Sequence, residues 1–428
     1  MTRRMQCDVL ILGAGPAGLA AAQAAVGSGL SIALVDDNPL PGGQIWRNGP
    51  GFPSEAQARS QILVQQPNLR LYTGTRCVAV HGPLQLLLEN AQGAWVQTYQ
   101  KLIVCSGARE LLLPFPGWTL PGITGAGGLQ ALIKGGVPVE GQRVVVAGSG
   151  PLLLAVAHTA RSAGALVLRV AEQAPASTLL ALTAGLWRWP GKLVQAAGLA
   201  SAAYRPNSQV VEALGTRQVE AVRIRQGQRD YVLDCERLAC GYGLIPNTEL
   251  AQALGMALTA EKAIAVDAWQ GTNLPDHYAA GECTGIGGCE KALAQGTIAG
   301  YAATGQTPQA QALWQDCARW EAFAAHVREH LKTDLAAVKL LLRPDTVVCR
   351  CEDVRVAELA PRNSWIDAKL HTRCGMGPCQ GRICGAAAAR LWGWEAPPVR
   401  QPLSPVRIGS LLGETAPQQA MSVEWHGR

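Results

Sequence analysis

The stretch DVLILGAGPAGLAAAQAA at residues 8–25 decides the fold. Its apolar first part predicts a buried β-strand, and its alanine-rich last part predicts a helix. Between them lies the pattern Gly13-x-Gly15-x-x-Gly18. Gly13 permits the tight turn, Gly15 lets a pyrophosphate approach the backbone, and Gly18 allows the helix to pack closely on the strand. The free N–H groups at the start of the helix then favour an anionic ligand.

A second predicted strand, SIALVDD at residues 31–37, follows the helix and ends in two aspartates. A carboxylate at the end of this strand can accept hydrogen bonds from ribose hydroxyls, and Asp36 has the expected spacing from the glycines. Strand, glycines, helix and carboxylate in this order predict an adenine-dinucleotide site; the alternative is a glycine-rich turn that only packs. The predicted contact residues are Gly13, Gly15, Pro16, Ala17, Gly18, Asp36 and Asp37.

Three further segments favour FAD as the dinucleotide: PGGQ at 41–44, LIVCSGARELLLPFPG at 102–117 and HYAAGECTGIGG at 277–288. They resemble motifs of the flavoproteins with two dinucleotide domains, the group of thioredoxin reductase-like enzymes. In that group the acidic residue after Ala-x-Gly contacts the ribityl and pyrophosphate part of FAD, which implies this role for Glu282, although aspartate is usual there. The contact residues predicted from these segments are Gly43, Gln44, Ser106, Gly107, Gly281 and Glu282.

Residues 142–173, QRVVVAGSGPLLLAVAHTARSAGALVLRVAEQ, repeat the strand, turn, helix and strand pattern. The repeat predicts a second doubly wound domain inserted within the first. Its fingerprint is damaged, because Gly148-x-Gly150 is followed by Leu153 instead of a third glycine, and Glu172 falls one position late for a ribose carboxylate. This damage argues against NAD(P) binding and leaves a scaffold role or another ligand as the alternatives.

The composition excludes several classes of function. A net charge of +6 over 428 residues, without a basic run, does not suggest nucleic-acid binding. No apolar segment is long enough to span a bilayer and no signal peptide is recognisable, so we expect a cytoplasmic chain that meets the inner membrane only through an electron acceptor. The 13 cysteines are then expected to be thiols or metal ligands rather than disulfides.

The redox and acid–base groups of related enzyme classes are missing from the sequence. We find neither a CxxC pair in the second domain nor a CxxxxC pair after the first fingerprint, so thiol–disulfide exchange is not expected. The seven histidines form no recognised cluster with carboxylates, and no catalytic residue is assigned.

Two cysteine-rich stretches, VCRCEDV and CGMGPCQGRIC, stand near the C-terminus. A [2Fe-2S] cluster needs four thiolates, two per iron, whereas zinc sites more often use CxxC pairs and histidine. The spacing favours an iron–sulfur cluster and leaves zinc and uncoordinated thiols open. Neighbouring glycines leave N–H groups free to approach sulfur, and Arg350, Arg373 and Arg382 can offset negative charge. The five cysteines are Cys349, Cys351, Cys374, Cys379 and Cys384.

The pair CRCEDV and GMGPCQGRIC closely resembles the [2Fe-2S] module of the bacterioferritin-associated ferredoxin type. Over residues 5–410 the chain resembles the FAD/NAD-type subunit of heteromeric amino-acid and imino-acid dehydrogenases. That family includes the α-type subunit of D-hydroxyproline dehydrogenase, the A subunits of octopine and nopaline oxidases, and the B subunit of hydrogen cyanide synthase. The resemblance also rests on VDDNPLPGGQIWR, GARELLLPFPGWTLPGI, CGYGLIPNTEL and AAGECTGIGG.

The resemblance implies Cys349, Cys351, Cys379 and Cys384 as cluster ligands, with Cys374 outside the ligand set. It implies FAD and a [2Fe-2S] cluster as cofactors, and it leaves open an FMN at a subunit interface. The implied partners are a D-amino-acid-oxidase-type flavoprotein that oxidises a C–N bond and, in many members, a small ferredoxin-like [2Fe-2S] subunit. The chain would then transfer electrons. The alternatives are a self-contained NAD(P)H-dependent reductase and a scaffold that binds ATP in place of FAD.

We therefore expect an α/β fold with two doubly wound dinucleotide-binding domains, like those of thioredoxin and glutathione reductases, and a small helical [2Fe-2S] domain. The proline-rich end of the chain is interpreted as an arm against a partner, or else as a surface tail. The expected boundaries are 1–119 with 268–305 for the FAD domain, 120–267 for the second domain, 306–343 for a helical linker, 344–395 for the cluster domain and 396–428 for the arm.

Overall fold

The computed structural model describes residues 3–47, 55–395 and 398–412. Its strands are β1 (Arg3–Leu12), β2 (Ile32–Val35), β3 (Leu69–Tyr72), β4 (Arg76–Gly82), β5 (Gln85–Asn90), β6 (Gly93–Val104), β7 (Ala108–Glu110), β8 (Ile123–Gly125), β9 (Arg143–Gly148), β10 (Leu166–Glu172), β11 (Tyr204–Arg205), β12 (Ser208–Leu214), β13 (Ala221–Gln226), β14 (Arg229–Asp234), β15 (Arg237–Gly241), β16 (Leu244–Pro246), β17 (His277–Ala279), β18 (Val347–Cys349) and β19 (Val354–Arg355).

The helices are α1 (Pro16–Ala25), α2 (Glu55–Val64), α3 (Ala126–Lys134), α4 (Leu152–Ser162), α5 (Ala176–Gly185), α6 (Pro190–Gly198), α7 (Glu249–Leu254), α8 (Cys289–Ala303), α9 (Thr307–Gln311), α10 (Trp314–His330), α11 (Leu335–Leu340), α12 (Val356–Leu359), α13 (Trp365–Thr372), α14 (Cys384–Trp392) and α15 (Ile408–Leu411). Short 3₁₀ turns occupy Val26–Ser28, Leu186–Arg188 and Glu282–Thr284. No helix in the described ranges has both the length and the apolar character needed to cross a bilayer.

The first sheet has the strand order β3-β2-β1-β6-β5-β4, with β17 beside the second half of β6. Strand β1 pairs in parallel with β2 and β6, so it lies in the middle of the sheet. Val9 and Ile11 are buried on the face that carries α1, while Leu10 and Leu12 are buried on the other. Burial of both faces explains why the sequence is apolar without alternation.

The second sheet is parallel and has the order β11-β10-β9-β15-β8. A three-stranded antiparallel sheet of β12, β13 and β14 packs beside it. Strands β7 and β16 form an antiparallel pair where the chain leaves the first sheet and where it returns. The predicted fold class, two Rossmann-like sheets with helices, is confirmed.

Helices α1 and α8 pack against each other through positions that have no side chain. A Cβ atom at Gly296 would overlap the carbonyl oxygen of Ala17, and one at Gly300 would overlap that of Ala21. The two backbones are therefore in direct contact. This contact places the start of α8, and the loop before it, beside the glycine turn of α1.

The C-terminal segment packs on the second sheet. Val338 on α11 and Leu391 on α14 are buried in the same cluster as Phe115 and Trp118. The indole nitrogen of Trp118 also donates a hydrogen bond of 2.6 Å to the carbonyl of Val347 in β18. The segment with the cysteines is thus attached to the core of the second domain.

The described part of the predicted arm contacts its own chain. The amide of Leu403 donates to the carbonyl of Val78 in β4 over 2.8 Å, and the Gln401 side chain accepts from the amide of Val80 over 2.8 Å. Residues 398–412 therefore run along the edge of the first sheet. The rest of the predicted arm, 396–397 and 413–428, lies outside the described residues.

Candidate nucleotide site and thiol cluster

The first glycine turn has the tight contacts that its pattern predicts. Gly13 has a φ of +104°, and a Cβ atom there would overlap the carbonyl oxygen of Cys105, the residue that directly follows β6. A Cβ atom at Gly18 would overlap the carbonyl oxygen of Gly13. Any side chain at either position would push α1 away from the sheet.

Asp36 holds this turn from the end of β2. Its side chain is 6% exposed, and its Oδ2 atom accepts a 2.6 Å hydrogen bond from the amide of Ala14. Its Oδ1 atom accepts from the backbone and the side chain of Asn38 over 2.7 and 2.8 Å. Asp37, by contrast, points to the surface, where it lies 3.5 Å from Arg76. The structure thus brings Asp36 to the nucleotide turn and leaves Asp37 outside it.

The PGGQ loop lies directly over the glycine turn. The amide of Gly42 donates to the carbonyl of Ala14 over 2.7 Å. A Cβ atom at Gly43, whose φ is +60°, would come within 3.1 Å of the Cα atom of Gly15. The Gln44 side chain accepts a 3.1 Å hydrogen bond from Arg47. Gly43 and Gly15 therefore pack backbone against backbone, with no side chain between them.

Ser106 and Gly107 fasten the link between the two sheets. The Ser106 hydroxyl donates to the carbonyl of Asn247 over 2.6 Å, and the Asn247 side chain donates to the carbonyl of Ser106 over 3.0 Å. The amide of Asn247 donates to Gly107 over 3.0 Å. Asn247 was not among the predicted site residues, although it lies in the segment CGYGLIPNTEL.

Glu282 has one carboxylate oxygen without a partner. Gly281, which precedes Glu282 and has a φ of +87°, packs against Ala17. This contact brings Glu282 beside α1. The Oε1 atom of Glu282 accepts from the amides of Gly287 and Gly288 over 3.2 and 2.6 Å, at the start of α8. The Oε2 atom is buried and accepts no hydrogen bond from the residues that the structure describes. A buried carboxylate oxygen calls for a donor, and the hydroxyls of a ribityl chain would supply one. The residues around the turn therefore fit FAD.

The second glycine turn is closed by its own carboxylate. Glu172 is fully buried, and its Oε2 atom accepts from the amide of Gly150 over 3.0 Å and from the hydroxyl of Tyr204 over 3.3 Å. Burial raises the pKa of Glu172. By its position in the turn, the Gly150 amide is the group that would donate a hydrogen bond to a pyrophosphate. Here it donates to the carboxylate of Glu172 instead. Leu153, in place of the third glycine, is buried in the core beneath α4.

Three cysteines form a buried group. The sulfur atoms of Cys349, Cys374 and Cys384 lie within 4.8 Å of one another. The thiols of Cys374 and Cys384 hydrogen-bond to the sulfur of Cys349 and lower the pKa of Cys349 far below its ordinary value. The bond to Cys349 raises the pKa of Cys374 to about 12. Thiolates are the metal-binding form of cysteine, so the group is suited to hold a metal.

The other two cysteines form a pair nearer the surface. Cys351 is exposed, Cys379 is half-buried, and the two groups are close enough to influence the pKa of Cys351. A Cβ atom at Gly377 would overlap the Cβ atom of Cys351, so glycine is required for the two stretches to meet. The amide of Gly375 is one of the groups that lower the pKa of Cys349.

The three arginines near the cysteines have other partners. The guanidinium of Arg350 lies 5.2 Å from the centre of the Trp118 ring and donates to the carbonyl of Thr119. Arg373 forms a 2.8 Å ion pair with Glu352, and Arg382 donates to the carbonyl of Leu403 over 2.7 Å. These arginines attach the cysteine segment to its surroundings.

A further group of possible metal ligands lies at the end of α10. His326, Glu329 and His330 have ligand atoms within 4.8 Å of one another. No cluster of histidine and carboxylate was expected from the sequence, and this group of residues corrects that expectation. The signal was the spacing in HVREH, because residues at i, i+3 and i+4 share one face of a helix.

Known proteins resemble the chain in its nucleotide-binding part and over nearly its full length. Residues 7–299 match the family model of pyridine nucleotide-disulphide oxidoreductases. The hydrogen cyanide synthase subunit HcnB of Pseudomonas aeruginosa is 32% identical, over 94% of this chain and 97% of that protein. The A subunit of opine oxidase from Rhizobium meliloti is 28% identical, over 96% and 99%.

Among solved structures, L-proline dehydrogenase from P. horikoshii superimposes with a TM-score of 0.66 at 18% identity and covers 96% of this chain and 80% of its own. Thioredoxin reductase from T. acidophilum has a TM-score of 0.55 at 22% identity and covers 71% of this chain and 99% of its own. At these identities the likeness concerns the fold. The family model, however, covers more than half of the chain and includes both glycine turns, and the chain belongs to the pyridine nucleotide-disulphide oxidoreductase family.

Proposed function

We propose that the chain is a flavin electron-transfer subunit of a heteromeric dehydrogenase or oxidase that oxidises the C–N bond of an amino acid, an imino acid or an opine. The observation that carries this proposal is the contrast between its two nucleotide turns. The first fits FAD, while in the second Glu172 occupies the amide that a nicotinamide dinucleotide would need. Electrons must then reach the flavin from a source other than bound NAD(P)H.

The chain's own residues would hold FAD mainly through backbone. At Gly15 and Gly43 a pyrophosphate would meet main chain rather than side chains, and Asp36 keeps the turn in place. The unpartnered Oε2 atom of Glu282 would accept from a ribityl hydroxyl. When bound, FAD accepts electrons in pairs and a [2Fe-2S] cluster passes them on singly.

We propose Cys349, Cys351, Cys379 and Cys384 as the ligands of a [2Fe-2S] cluster. Such a cluster takes two thiolates per iron, and the contacts of Cys349 with Cys384 and of Cys351 with Cys379 supply two pairs. Cys374 is then a fifth thiol beside the first pair. A second candidate, a zinc ion, is favoured by the buried trio of Cys349, Cys374 and Cys384.

The substrate-oxidising site would lie on a partner subunit. HcnB is named as a subunit of hydrogen cyanide synthase, and the Rhizobium meliloti relative as a subunit of opine oxidase. His277, the histidine beside the FAD motif, is held by the hydroxyl of Tyr99 and the carbonyl of Pro275, which suits a structural role. We propose a D-amino-acid-oxidase-type flavoprotein as the partner of this chain. A small ferredoxin-like [2Fe-2S] subunit would be a further member of the complex. An FMN would be held at an interface between subunits. The complex would be cytoplasmic.

Purification of the native complex tests the function. We expect the chain to co-purify with a second flavoprotein and the complex to reduce an artificial dye with a substrate among D-amino acids, prolines, opines and glycine. The isolated chain should be inactive in the same assay, because it would lack the substrate site. An isolated chain that oxidises the substrate as fast as the complex would contradict the proposal.

The closed second site predicts slow reduction by nicotinamide. In stopped-flow mixing of the purified chain with NADH or NADPH, we expect no rapid bleaching of the flavin absorbance. Rapid bleaching would favour a self-contained NAD(P)H-dependent reductase instead. The cofactor released by acid from the same sample should have the absorbance of FAD. Release of ATP without flavin would support the scaffold alternative.

Single substitutions distinguish the two metal candidates. For a [2Fe-2S] cluster, Cys349→Ser, Cys351→Ser, Cys379→Ser and Cys384→Ser should each lose iron and visible absorbance, while Cys374→Ser keeps both. For zinc held by the buried trio, Cys374→Ser should lose the metal and Cys351→Ser should keep it. Metal analysis and absorption spectra of the purified variants provide the measurement, and a requirement for Cys374 but not Cys351 would overturn the ligand assignment.

Gly377→Ala is expected to impair metal loading. The added methyl group would overlap the Cβ atom of Cys351 and separate the two cysteine stretches. Overpacking of this kind costs about 1–3 kcal/mol. The iron content of Gly377→Ala should therefore fall well below that of the wild type. Gly198→Ala, where a methyl group meets open space, is the matched control and should load normally. Equal iron content in both variants would refute the close contact.

A further inference from the structure

The histidine and glutamate group at the end of α10 has the composition of a transition-metal site. The ligand atoms of His326, Glu329 and His330 lie within 4.8 Å of one another, and the centres of the two imidazole rings are 4.5 Å apart. All three residues are on one face of the last turn of the helix. Two imidazoles and a carboxylate make a donor set that zinc commonly uses, with water completing the shell.

Hydrogen bonds fix the tautomers of both histidines. The Nε2 atom of His326 lies 3.0 Å from the carbonyl oxygen of Leu182, and the Nδ1 atom of His330 lies 2.9 Å from the carbonyl oxygen of His326. A carbonyl oxygen only accepts, so these two nitrogens carry hydrogen. The lone pairs are then on Nδ1 of His326 and Nε2 of His330. Metal-bound histidines usually donate their other N–H to a carbonyl in this way.

The ring of His326 is held in place before any ligand arrives. It stacks on the indole of Trp189, with ring centres 5.7 Å apart and planes 28° apart. A Cβ atom at Gly185 would overlap the imidazole, so the ring lies directly on the end of α5. The indole nitrogen of Trp189 donates to the carbonyl of Arg319 over 3.1 Å. A ligand that is already oriented loses little entropy on binding.

The local charge also favours a cation. The C-terminal end of a helix has a partial negative charge, and Glu329 adds a full one. The nearest cationic side chain in the sequence, Arg328, donates to the carbonyl of Ile286 over 2.7 Å and is directed elsewhere. Of the three ligands, Glu329 is exposed, so an ion can enter from solvent.

We propose that His326, Glu329 and His330 bind a divalent first-row transition ion, with Zn²⁺ as the natural candidate. The site would be structural. It would join the end of α10 to α5, because His326 on α10 hydrogen-bonds to the carbonyl of Leu182 on α5. Helix α10 also contacts α8, because Gln295 on α8 donates to Glu321 on α10. This proposal does not depend on the proposed function, because none of its ligands takes part in the nucleotide site or the thiol cluster.

Metal titration of the full chain with its thiol cluster loaded tests the site. We expect one equivalent of Zn²⁺ to bind by calorimetry, and one equivalent of Co²⁺ to give the weak visible bands of nitrogen and oxygen ligands without sulfur-to-metal absorption. Glu329→Gln and His330→Ala should each weaken binding at least tenfold. His158→Ala, which removes an exposed histidine on α4, is the matched control and should bind as the wild type does.

Two outcomes would overturn the proposal. One is binding of Zn²⁺ that is unchanged in both Glu329→Gln and His330→Ala. The other is the absence of a zinc equivalent in the wild-type chain. Because His326 also packs on Trp189, His326→Ala could disturb folding, so the test relies on the other two ligands. Thermal unfolding with and without Zn²⁺ adds an independent readout, since an ion that binds only the folded state should raise the melting temperature of the wild type but not of His330→Ala.

Discussion

The contact of α1 with its neighbours, backbone against backbone, is the constraint on which the rest of the structure depends. Gly13 and Gly18 let the helix start against the sheet, and Gly296 lets α8 lie directly on α1. Because no side chains separate α1 from these neighbours, the amide of Ala14 can donate to Asp36. The carbonyl of Ala14 can in turn accept from the amide of Gly42 in the PGGQ loop. The nucleotide site is therefore made largely of main chain, whose geometry any added methyl group would change.

The two glycine turns differ in the amide that their carboxylate accepts from. Asp36 accepts from Ala14, the residue between the first two glycines of its turn. Glu172 is one methylene longer and reaches one residue further, to the amide of Gly150. That amide belongs to the position where a pyrophosphate approaches, so the Glu172 oxygen takes the donor that a phosphate would need. The fold persists because the apolar contacts beneath α4 do not need a ligand.

The sequence predicted best those features that are local along the chain. The glycine turn, Asp36 and the PGGQ loop follow from residues close in sequence, and all three meet in the structure. Contacts between distant segments could not be predicted in the same way. The arginines beside the cysteines bond to remote carbonyls and to Glu352, and Cys374 lies with Cys349 and Cys384 only because the fold brings them together. The HVREH spacing was visible in the sequence, but its significance depends on Leu182 and Trp189, which lie far away in the chain.

The second domain keeps a physical role even where its turn is closed. Phe115 and Trp118 share one buried cluster with Val338 and Leu391 of the C-terminal segment, and Trp118 also bonds to Val347, two residues before Cys349. The position of the cysteine strand is thus set by the core of this domain. Loss of a phosphate site removes only polar contacts at the turn, whereas loss of the domain would expose this apolar surface and release the cysteine segment. The position of the cysteine segment therefore depends on the apolar core of the second domain and not on a ligand at its glycine turn.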